Sequence, residues 1–245
     1  MPKYAVIVVG AGQSSRFGGE ENKVLAVVDG QPLFVRALQL FVNRPDVCHL
    51  LFVAAPGDVE TMRTKYAPNL AFMDVTLVEG GKERHDSVAA GLAAVKPEAE
   101  YVAIHDCARP CVVQEWIDAV FAEAVKSGAA VPATRVTATV KSVGPQGFIE
   151  KTVPREGLWL AQTPQVFRRD VIEAAYKQRK PSDPPPTDDA ALVEASGFAV
   201  KVIESDPRNI KITTKGDLSL ANAIIKSLPQ PKRGGPLGAF EEAKW

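Results

Sequence analysis

Along the first half of the chain, short apolar runs rich in β-branched residues alternate with longer segments in which apolar residues recur at helical spacing. The short runs predict buried strands at 4–9, 49–55, 75–79, 101–105 and 129–133. The longer segments predict helices at 32–43, 83–95 and 114–128, the last with Gly128 as its C-cap. This alternation predicts a three-layer α/β fold, in which helices cover both faces of a mostly parallel sheet. Ligands of such folds bind beyond the carboxyl ends of the strands.

The alternation breaks near residue 136, where two β-branched runs flank a Pro-Gln-Gly turn. Segment 136–153 therefore predicts a β-hairpin that protrudes from the α/β body. Beyond the hairpin the pattern predicts a strand at 198–204 and helices at 168–178, 188–197 and 215–228. The Pro-rich run 180–189 fits a domain linker or a surface loop. A surface loop is preferred, because the pattern after it still supplies a strand and helices for the same body.

These boundaries predict one domain over residues 1–228, with a hairpin arm at about 136–156, and a Pro/Gly-rich tail at 229–245 that is expected to be poorly ordered. The 29 basic residues balance the 29 acidic ones, so net charge gives no argument for nucleic acid or an anionic membrane as a partner. No apolar run approaches the roughly 20 residues that a membrane span needs. Three cysteines without a CxxC pair argue against a disulfide framework and fit a reducing, cytoplasmic location.

The loop after the first predicted strand, "GAGQSSRFGGEENKV" (10–24), has the composition of a phosphate-binding loop. It fits the dinucleotide fingerprint GxGxxG poorly, because Ser15 stands where the third glycine belongs. Asp29 lies at the right distance for the acidic residue of that fingerprint, but Gly18 and Gly19 interrupt the helix that should lead to it. A P-loop would need a Gly-Lys-Ser/Thr ending, which is also missing from this loop.

What remains is a glycine loop that carries two cations, Arg16 and Lys23. Backbone N–H groups of such a loop can hold phosphates, while an arginine adds a planar fork and a lysine a point charge. The plainer interpretation is a solvated loop whose cations pair with Glu20 or Glu21. Taken alone, the loop leaves both interpretations open.

Six segments resemble motifs of the 2-C-methyl-D-erythritol 4-phosphate cytidylyltransferase family, within the sugar-phosphate nucleotidyltransferases. In chain order they are "GAGQSSRFGGEENKV", "GGKERHDSV", "HDCARP", "TVPREGLWLAQTPQVF", "TDDAALVE" and "NIKIT". The resemblance runs from about residue 4 to 226, and it implies a Rossmann-like nucleotidyltransferase sheet with a dimerisation arm. The implied enzyme transfers a cytidylyl group from CTP to methylerythritol phosphate in the non-mevalonate isoprenoid pathway and releases pyrophosphate. The alternatives are a ribitol-5-phosphate or other polyol-phosphate nucleotidyltransferase, and a non-catalytic nucleotide-binding module.

The resemblance also implies partners and a cofactor. CTP and a polyol phosphate would be the substrates, and a second copy of the chain would bind through the arm as a homodimer. Mg²⁺ or another divalent cation would be held mainly by the CTP phosphates, with Asp106 as a candidate ligand. A zinc site at His105, Cys107 and Cys111 is disfavoured, because the spacing offers no fourth ligand.

Three groups of site residues follow from the resemblance. Charge developing at the phosphates would be stabilised by Arg16, Lys23, Arg155 and Lys211. The nucleotide would be held by Gly10, Ala11, Gly12, Ser14, Gly80, Gly81, Arg84, Ser87 and Asp106. The acceptor would be bound by Asp106, Arg109, Thr139, Arg155, Thr163, Thr187 and Lys211. In the family the arm carries a Thr and an Arg into the partner's site, which would here be Thr139 and Arg155.

Several of these residues also have a plainer structural interpretation. Asp106 could serve merely as the cap of a turn, and Arg84 could be an exposed arginine. Thr187 could be the N-cap of the next helix. His85 is expected to be an exposed helix residue rather than a general base. Lys211 stands between two isoleucines, so its side chain is expected to point away from the apolar face.

Overall fold

The computed structural model describes residues 1–12, 17–18, 22–180 and 182–229. Its strands are β1 (Tyr4–Val9), β2 (Val27–Val28), β3 (Gln31–Pro32), β4 (Val47–Ala54), β5 (Val75–Glu79), β6 (Tyr101–Asp106), β7 (Ala129–Arg135), β8 (Val140–Val143), β9 (Ile149–Val153), β10 (Trp159–Ala161), β11 (Gln165–Arg168) and β12 (Lys201–Glu204). Its helices are α1 (Leu33–Gln39), α2 (Val59–Thr64), α3 (Ala67–Phe72), α4 (Arg84–Ala93), α5 (Gln114–Ser127), α6 (Arg169–Gln178), α7 (Asp189–Ala195) and α8 (Gly216–Ser227). The five strands predicted for the first half are confirmed, with ends shifted by up to two residues.

The central sheet has the strand order β10-β7-β11-β6-β1-β4-β5, and β12 also pairs with β7. Strand β1 pairs in parallel with β4 and with β6. Strand β4 pairs in parallel with β5, and β7 pairs in parallel with β12. Strands β10 and β11 are antiparallel to their neighbours, and β11 lies between β6 and β7. The predicted mostly parallel sheet is confirmed, while β10 and β11 were not predicted.

Both faces of the sheet are covered, which explains why "YAVIVV" is apolar at every position. Alternate residues of β1 point to opposite faces, so Val6 and Val8 join one hydrophobic cluster while Ile7 joins the other. The first cluster includes fully buried residues of α1 and α5, among them Phe34 and Ile117. The second includes apolar residues of α4, α6 and α7. The predicted three layers therefore exist, with a separate core on each side of the sheet.

The predicted hairpin is confirmed as β8 and β9, which form a two-stranded antiparallel sheet apart from the central one. Its turn is closed by the Gly144 N–H, which donates to the Phe148 carbonyl at 3.0 Å. Phe148 and Ile149 are 74% and 63% exposed. The arm thus presents apolar side chains that nothing in the described part of the chain covers.

The described residues after β1, namely 10–12, 17–18 and 22–32, contain no long helix of the kind that a dinucleotide site needs. Asn22 caps a short 3₁₀ turn at Lys23–Leu25, and a β2–β3 hairpin follows. Asp29 lies in the tight turn of that hairpin with φ 52°, and it pairs with Arg36 at 3.1 Å. Because its carboxylate is engaged there, the dinucleotide interpretation finds no support.

The second half also follows the predicted pattern, with α6, α7, β12 and α8 at the expected places. Gly128 has φ 82° and its N–H donates to the Ala124 carbonyl at 2.8 Å, as predicted for the C-cap of α5. Residues 182–185 of the Pro-rich run are exposed, and α7, which follows the run, packs against α6. Residues 230–245, nearly all of the predicted tail, lie outside the described residues. No described helix has the length and apolar character that crossing a membrane requires.

Candidate active site

Strand β6 ends at Asp106, and this carboxylate gathers cations from three separate segments. Its Oδ1 accepts from Nε of Arg84 at 3.1 Å, and its Oδ2 accepts from Nζ of Lys211 at 2.6 Å. Nε of Arg109 lies 4.0 Å from the same Oδ2. Burial alone would raise the pKa of Asp106, but Arg84 and Lys211 outweigh it and hold that pKa well below its usual range. Asp106 is therefore an ionised carboxylate surrounded by cations, not merely the cap of a turn.

Arg84 is paired on two sides, so the interpretation as an exposed arginine is wrong. Besides Asp106 it contacts Asp189, whose Oδ2 lies 2.8 Å from Nη2. Burial would lower the pKa of Arg84, but Asp189 and Asp106 together raise it above its ordinary value. The sequence did not single out Asp189, which stands in a helix-starting segment far along the chain from its partner. No spacing signal could have found this long-range pair.

The backbone around Asp106 is held by a buried chain of hydrogen bonds. The Asp106 N–H donates to Oγ1 of Thr163 at 3.0 Å, and Oγ1 lies 3.0 Å from Nδ1 of His105. Nε2 of His105 lies 3.1 Å from the Arg109 carbonyl, which can only accept, so Nε2 carries the proton. Burial lowers the pKa of His105 to about 4. Thr163, predicted to bind the acceptor, is only 4% exposed, and its hydroxyl binds the backbone N–H of Asp106.

The "HDCARP" and "NIKIT" segments are bound to each other. Arg109 donates from Nη1 to the Asn209 carbonyl at 2.7 Å and from Nη2 to the Ala161 carbonyl at 3.3 Å. The Ile212 N–H donates to the Ala108 carbonyl at 2.8 Å, and Ile212 is fully buried. The expectation that Lys211 points away from the apolar face is confirmed. Arg109 binds backbone with both terminal nitrogens, so in this structure it joins segments and does not present a free fork.

The loops that follow β1 and β5 meet at the end of β4. Gly10 and Ala11 both donate their N–H to the Val53 carbonyl, at 2.8 and 2.9 Å. A Cβ added to Gly80 would lie 2.8 Å from the Ala11 Cβ and 2.7 Å from Oγ of Ser87. Ser87 Oγ in turn accepts from the Gly81 N–H at 3.1 Å. The two glycine segments therefore form one continuous surface beside the first turn of α4.

The remaining predicted residues of the first loop are only partly described. Gly12 is the last described residue before the gap, and Ser14 and Arg16 lie outside the described residues. Lys23 begins the 3₁₀ turn, and its charge acts on Cys107, next to Asp106. Burial raises the pKa of the Cys107 thiol to about 12, with Lys23 opposing this shift. The first loop thus reaches the Asp106 region through Lys23.

Three predicted acceptor residues lie apart from the Asp106 cluster. Arg155 donates from Nη1 to the Thr137 carbonyl at the base of the arm, and Thr139 is exposed just before β8. Within the described residues, no hydrogen bond or ion pair joins Thr139, Arg155 or Thr187 to Asp106. Thr187 is exposed, and the N-cap of α7 is Asp188, which accepts from the Ala191 N–H. The N-cap interpretation of Thr187 is therefore wrong.

His85 is not the exposed helix residue that the sequence suggested. It is 9% exposed, and its Nε2 lies 3.3 Å from Oδ1 of Asp86. Its position explains the difference, because His85 shares the inward face of α4 with Val88 and Leu92 at helical spacing. Among the described residues no group of three or more His, Cys, Asp or Glu side chains could hold a metal ion.

Comparison with known proteins gives consistent results at the level of sequence and of structure. A family model described as 2-C-methyl-D-erythritol 4-phosphate cytidylyltransferase (IspD) matches residues 4–227. The protein of that name from Pelotomaculum thermopropionicum is 41% identical over 228 residues, covering 93% of this chain and 96% of its own length. The crystal structure of the Thermus thermophilus protein aligns with a TM-score of 0.75 at 30% identity, covering 91% of this chain and 99% of that one. The 4-diphosphocytidyl-2C-methyl-D-erythritol synthase of Anaerococcus prevotii gives a TM-score of 0.77 at 27% identity, covering 92% and 99%.

The match runs through all six motifs that carried the resemblance, from the loop after β1 to the Lys211 segment. The solved relatives share the mixed α/β architecture around a mostly parallel sheet. Both the predicted fold and the predicted relationship are therefore confirmed. The chain belongs to the family of 2-C-methyl-D-erythritol 4-phosphate cytidylyltransferases.

Proposed function

We propose that this chain transfers the cytidylyl group of CTP to 2-C-methyl-D-erythritol 4-phosphate, giving 4-diphosphocytidyl-2-C-methyl-D-erythritol and pyrophosphate in the non-mevalonate isoprenoid pathway. Membership of the cytidylyltransferase family over residues 4–227 supports the activity. The observation that carries it is the Asp106 cluster, where Arg84 and Lys211 meet at the carboxyl end of β6. This is the edge of an α/β sheet at which ligands bind.

In this reaction a phosphate oxygen of the acceptor attacks the α-phosphorus of CTP. The new O–P bond forms as the bond from the α-phosphorus to the bridging oxygen breaks, and pyrophosphate leaves with the electron pair. Two anionic molecules must approach each other while negative charge grows around the phosphorus. Fixed cations and correct positioning should therefore supply most of the rate enhancement.

Three cationic residues of the described part of the chain, each from a different segment, could hold the nucleotide or stabilise the phosphate charge. Lys211 would face the reacting phosphates, because its ammonium is fixed 2.6 Å from Asp106. Lys23, at the start of the 3₁₀ turn, would approach from the loop after β1. Arg84 would hold the nucleotide from the first turn of α4, beside the glycines of both loops. Arg16, which the resemblance places among the catalytic residues, lies outside the described residues.

We also propose that Mg²⁺ or another divalent cation accompanies CTP. Asp106 could contribute one carboxylate to an ion that the triphosphate itself holds. Within the described residues, no group of three or more His, Cys, Asp or Glu side chains could hold a metal ion by itself. Magnesium in such sites keeps several waters and takes one or two carboxylates besides the phosphates. Each Asp106 oxygen accepts one hydrogen bond and keeps a lone pair for such an ion. The ion would neutralise phosphate charge during the transfer.

The assembly proposed for this activity is a cytoplasmic homodimer joined through the arms. Thr139 and Arg155 of the partner subunit would then complete the acceptor side of each site. Two observations support this arrangement: the arm is a separate two-stranded sheet, and it exposes Phe148 and Ile149. Edge strands and exposed apolar side chains of this kind are usually covered by a partner.

The first experiment measures pyrophosphate release by the purified protein with Mg²⁺ and CTP. Methylerythritol phosphate and ribitol 5-phosphate are compared as acceptors, and ATP, GTP and UTP replace CTP as controls. Release only with CTP and methylerythritol phosphate is the expected result. Release mainly with ribitol phosphate would move the acceptor assignment and keep the chemistry. No release with any pair, from a protein that still binds CTP, would contradict the activity and favour a nucleotide-binding module.

A further inference from the structure

Asp189 is a fully buried carboxylate whose charge has no part in the reaction described above. It begins α7, and its side chain is 0% exposed. Its Oδ1 accepts from the Tyr176 hydroxyl at 2.8 Å, and its Oδ2 lies 2.8 Å from Nη2 of Arg84. Its N–H donates to Oε1 of Gln165 at 3.2 Å. A buried charge is costly unless it is paired, so this arrangement needs a reason.

The partner, Arg84, lies between two carboxylates. Its Nε donates to Asp106 and its Nη2 pairs with Asp189, so two of its three nitrogens are held by groups from different segments. A guanidinium is planar, and two fixed contacts therefore also fix the direction of the third nitrogen. Nη1 has no hydrogen-bond partner among the described residues, and the Arg84 side chain is 25% exposed. One donor thus remains available to a ligand at the glycine surface.

Asp189 also affects the rest of the cluster through charge. With Asp189 present, Arg84 divides its contacts between two carboxylates, and Asp106 keeps Oδ2 for Lys211. If Asp189 were neutral, Nη2 of Arg84 could join Nε in a bidentate pair with Asp106. The guanidinium would then rotate, and Nη1 would no longer point towards the nucleotide. Tyr176 opposes such a change, because its hydroxyl holds the Asp189 carboxylate in place.

We propose that Asp189 is a positioning residue for CTP, which acts by fixing Arg84 so that its Nη1 faces the bound nucleotide. Asp189 itself touches no substrate. The inference rests on the proposed function for the identity of the nucleotide, but not for the geometry of the pair. A purely structural role for Asp189 would predict loss of stability without any specific link to Arg84.

A double-mutant cycle between Asp189→Asn and Arg84→Ala separates the two roles. The readouts are KM for CTP at saturating acceptor, kcat, and the dissociation constant of CTP from titration calorimetry. Asp189→Asn alone should raise KM and the dissociation constant about tenfold and change kcat less. In the Arg84→Ala background, Asp189→Asn should change KM and the dissociation constant for CTP by less than about twofold. An equal factor in both backgrounds would overturn the proposal, because Asp189 would then act independently of Arg84.

A milder variant keeps the test decisive if Asp189→Asn does not fold. Tyr176→Phe removes only the hydroxyl that holds Asp189, and it should raise the CTP constants about threefold in the native background and leave them unchanged with Arg84→Ala. The matched control is Glu173→Gln, which breaks another arginine–carboxylate pair, with Arg169 at 2.7 Å on α6. Its CTP constants should stay within about twofold of the wild type. An equal effect of Glu173→Gln would count against the assignment.

Failure of the proposed function remains distinguishable from failure of this inference. If the wild-type protein binds CTP but releases no pyrophosphate, the activity is wrong and calorimetry still completes the cycle. If the wild type turns over and the cycle shows no coupling, the positioning role is wrong and the activity stands.

Discussion

Lys211 reaches Asp106 from a loop near the far end of the chain, and the 2.6 Å contact fixes its ammonium before any substrate arrives. A cation that is already in position need not reorganise when charge builds at the phosphorus, so its effect belongs mainly to the transition state. In the proposed reaction, Asp106 would therefore act as the anchor of cations such as Lys211 rather than as a base. Its depressed pKa keeps it charged throughout the neutral range.

Lys211→Met should therefore lower kcat by about a hundredfold or more while changing KM for CTP much less. The charge is removed but the aliphatic stem of the side chain is largely retained. Steady-state kinetics with each substrate varied in turn measure the two effects. Lys201→Met, on the exposed strand β12, is the control and should behave as the wild type. A kcat within about threefold of wild type would exclude Lys211 from the chemistry.

His105 gives a second residue-level prediction, for stability against pH. Burial holds the folded-state pKa at about 4, against 6.5 for the free side chain, so between these values the unfolded state binds one more proton. The free energy of unfolding should therefore fall by about 3 kcal/mol as the pH drops from 6.5 to 4. Urea unfolding at several pH values measures the slope. His105→Gln should reduce this slope of the free energy of unfolding against pH. A smaller slope of the same sign should remain, because burial also lowers the pKa of His49. An unchanged slope would contradict the assignment.

At the level of elements, the site depends on how closely the two glycine loops approach. The loop after β5 can lie against the loop after β1 only because Gly80 has no Cβ, with Ala11 on one side and Ser87 on the other. The N-terminal turn of α4 is thereby placed next to the strand ends. Ala11, Gly80 and Ser87 are thereby brought side by side next to the first turn of α4, on the surface proposed for the nucleotide.

Gly80→Ala should separate these loops. The new Cβ would lie 2.7 Å from Ser87 Oγ and 2.8 Å from the Ala11 Cβ, closer than real Cβ contacts allow. We expect a loss of about 1–3 kcal/mol in the free energy of unfolding and about tenfold weaker CTP binding. Gly57→Ala is the matched control, because a Cβ there meets nothing within 4 Å, and it should be neutral or slightly stabilising. Denaturant unfolding and calorimetry would show whether the two substitutions differ.

Hydrophobic periodicity predicted most of the elements correctly, and the failures have local causes. The short strands β10 and β11 flank Gln162–Pro164, where a proline and polar residues hide any alternation. Helices α2 and α3 were missed because each has six residues with a proline close to its start, too short for a periodic signal. The glycine loops and Asp106 could be identified from the sequence, because each of their motifs stands at the end of a predicted strand. The Arg84–Asp189 pair could not, because only the folded chain brings its two segments together.

For the molecule as a whole, the arm is the feature that the single chain leaves incomplete. Its tip exposes Phe148, and its base holds Arg155 against the Thr137 carbonyl, away from the Asp106 cluster of the same chain. An acceptor site that needs Arg155 would therefore need the arm of a second copy. Association and acceptor turnover should depend on each other, while CTP binding should depend on neither.

Phe148→Asp should convert the proposed dimer to a monomer and lower turnover of the acceptor by at least about tenfold, with CTP binding retained. Sedimentation velocity, calorimetry and steady-state kinetics measure the three properties on one preparation. Phe72→Asp is the control, because Phe72 is 88% exposed on α3, outside the arm. A wild type that sediments as a monomer at assay concentration, yet is fully active, would refute the shared site.

The position of β11 decides when the sheet can be completed during synthesis. Strands β1, β4, β5 and β6 all come from the first 106 residues and pair directly with one another, but β7 joins them only through β11, residues 165–168. A nascent chain that ends before Gln165 therefore leaves one edge of β6, including the buried Val102 and Ile104, with unpaired backbone groups. Open apolar edges of this kind recruit strands from other chains. We therefore expect chains that end before β11 to aggregate more readily than the completed protein.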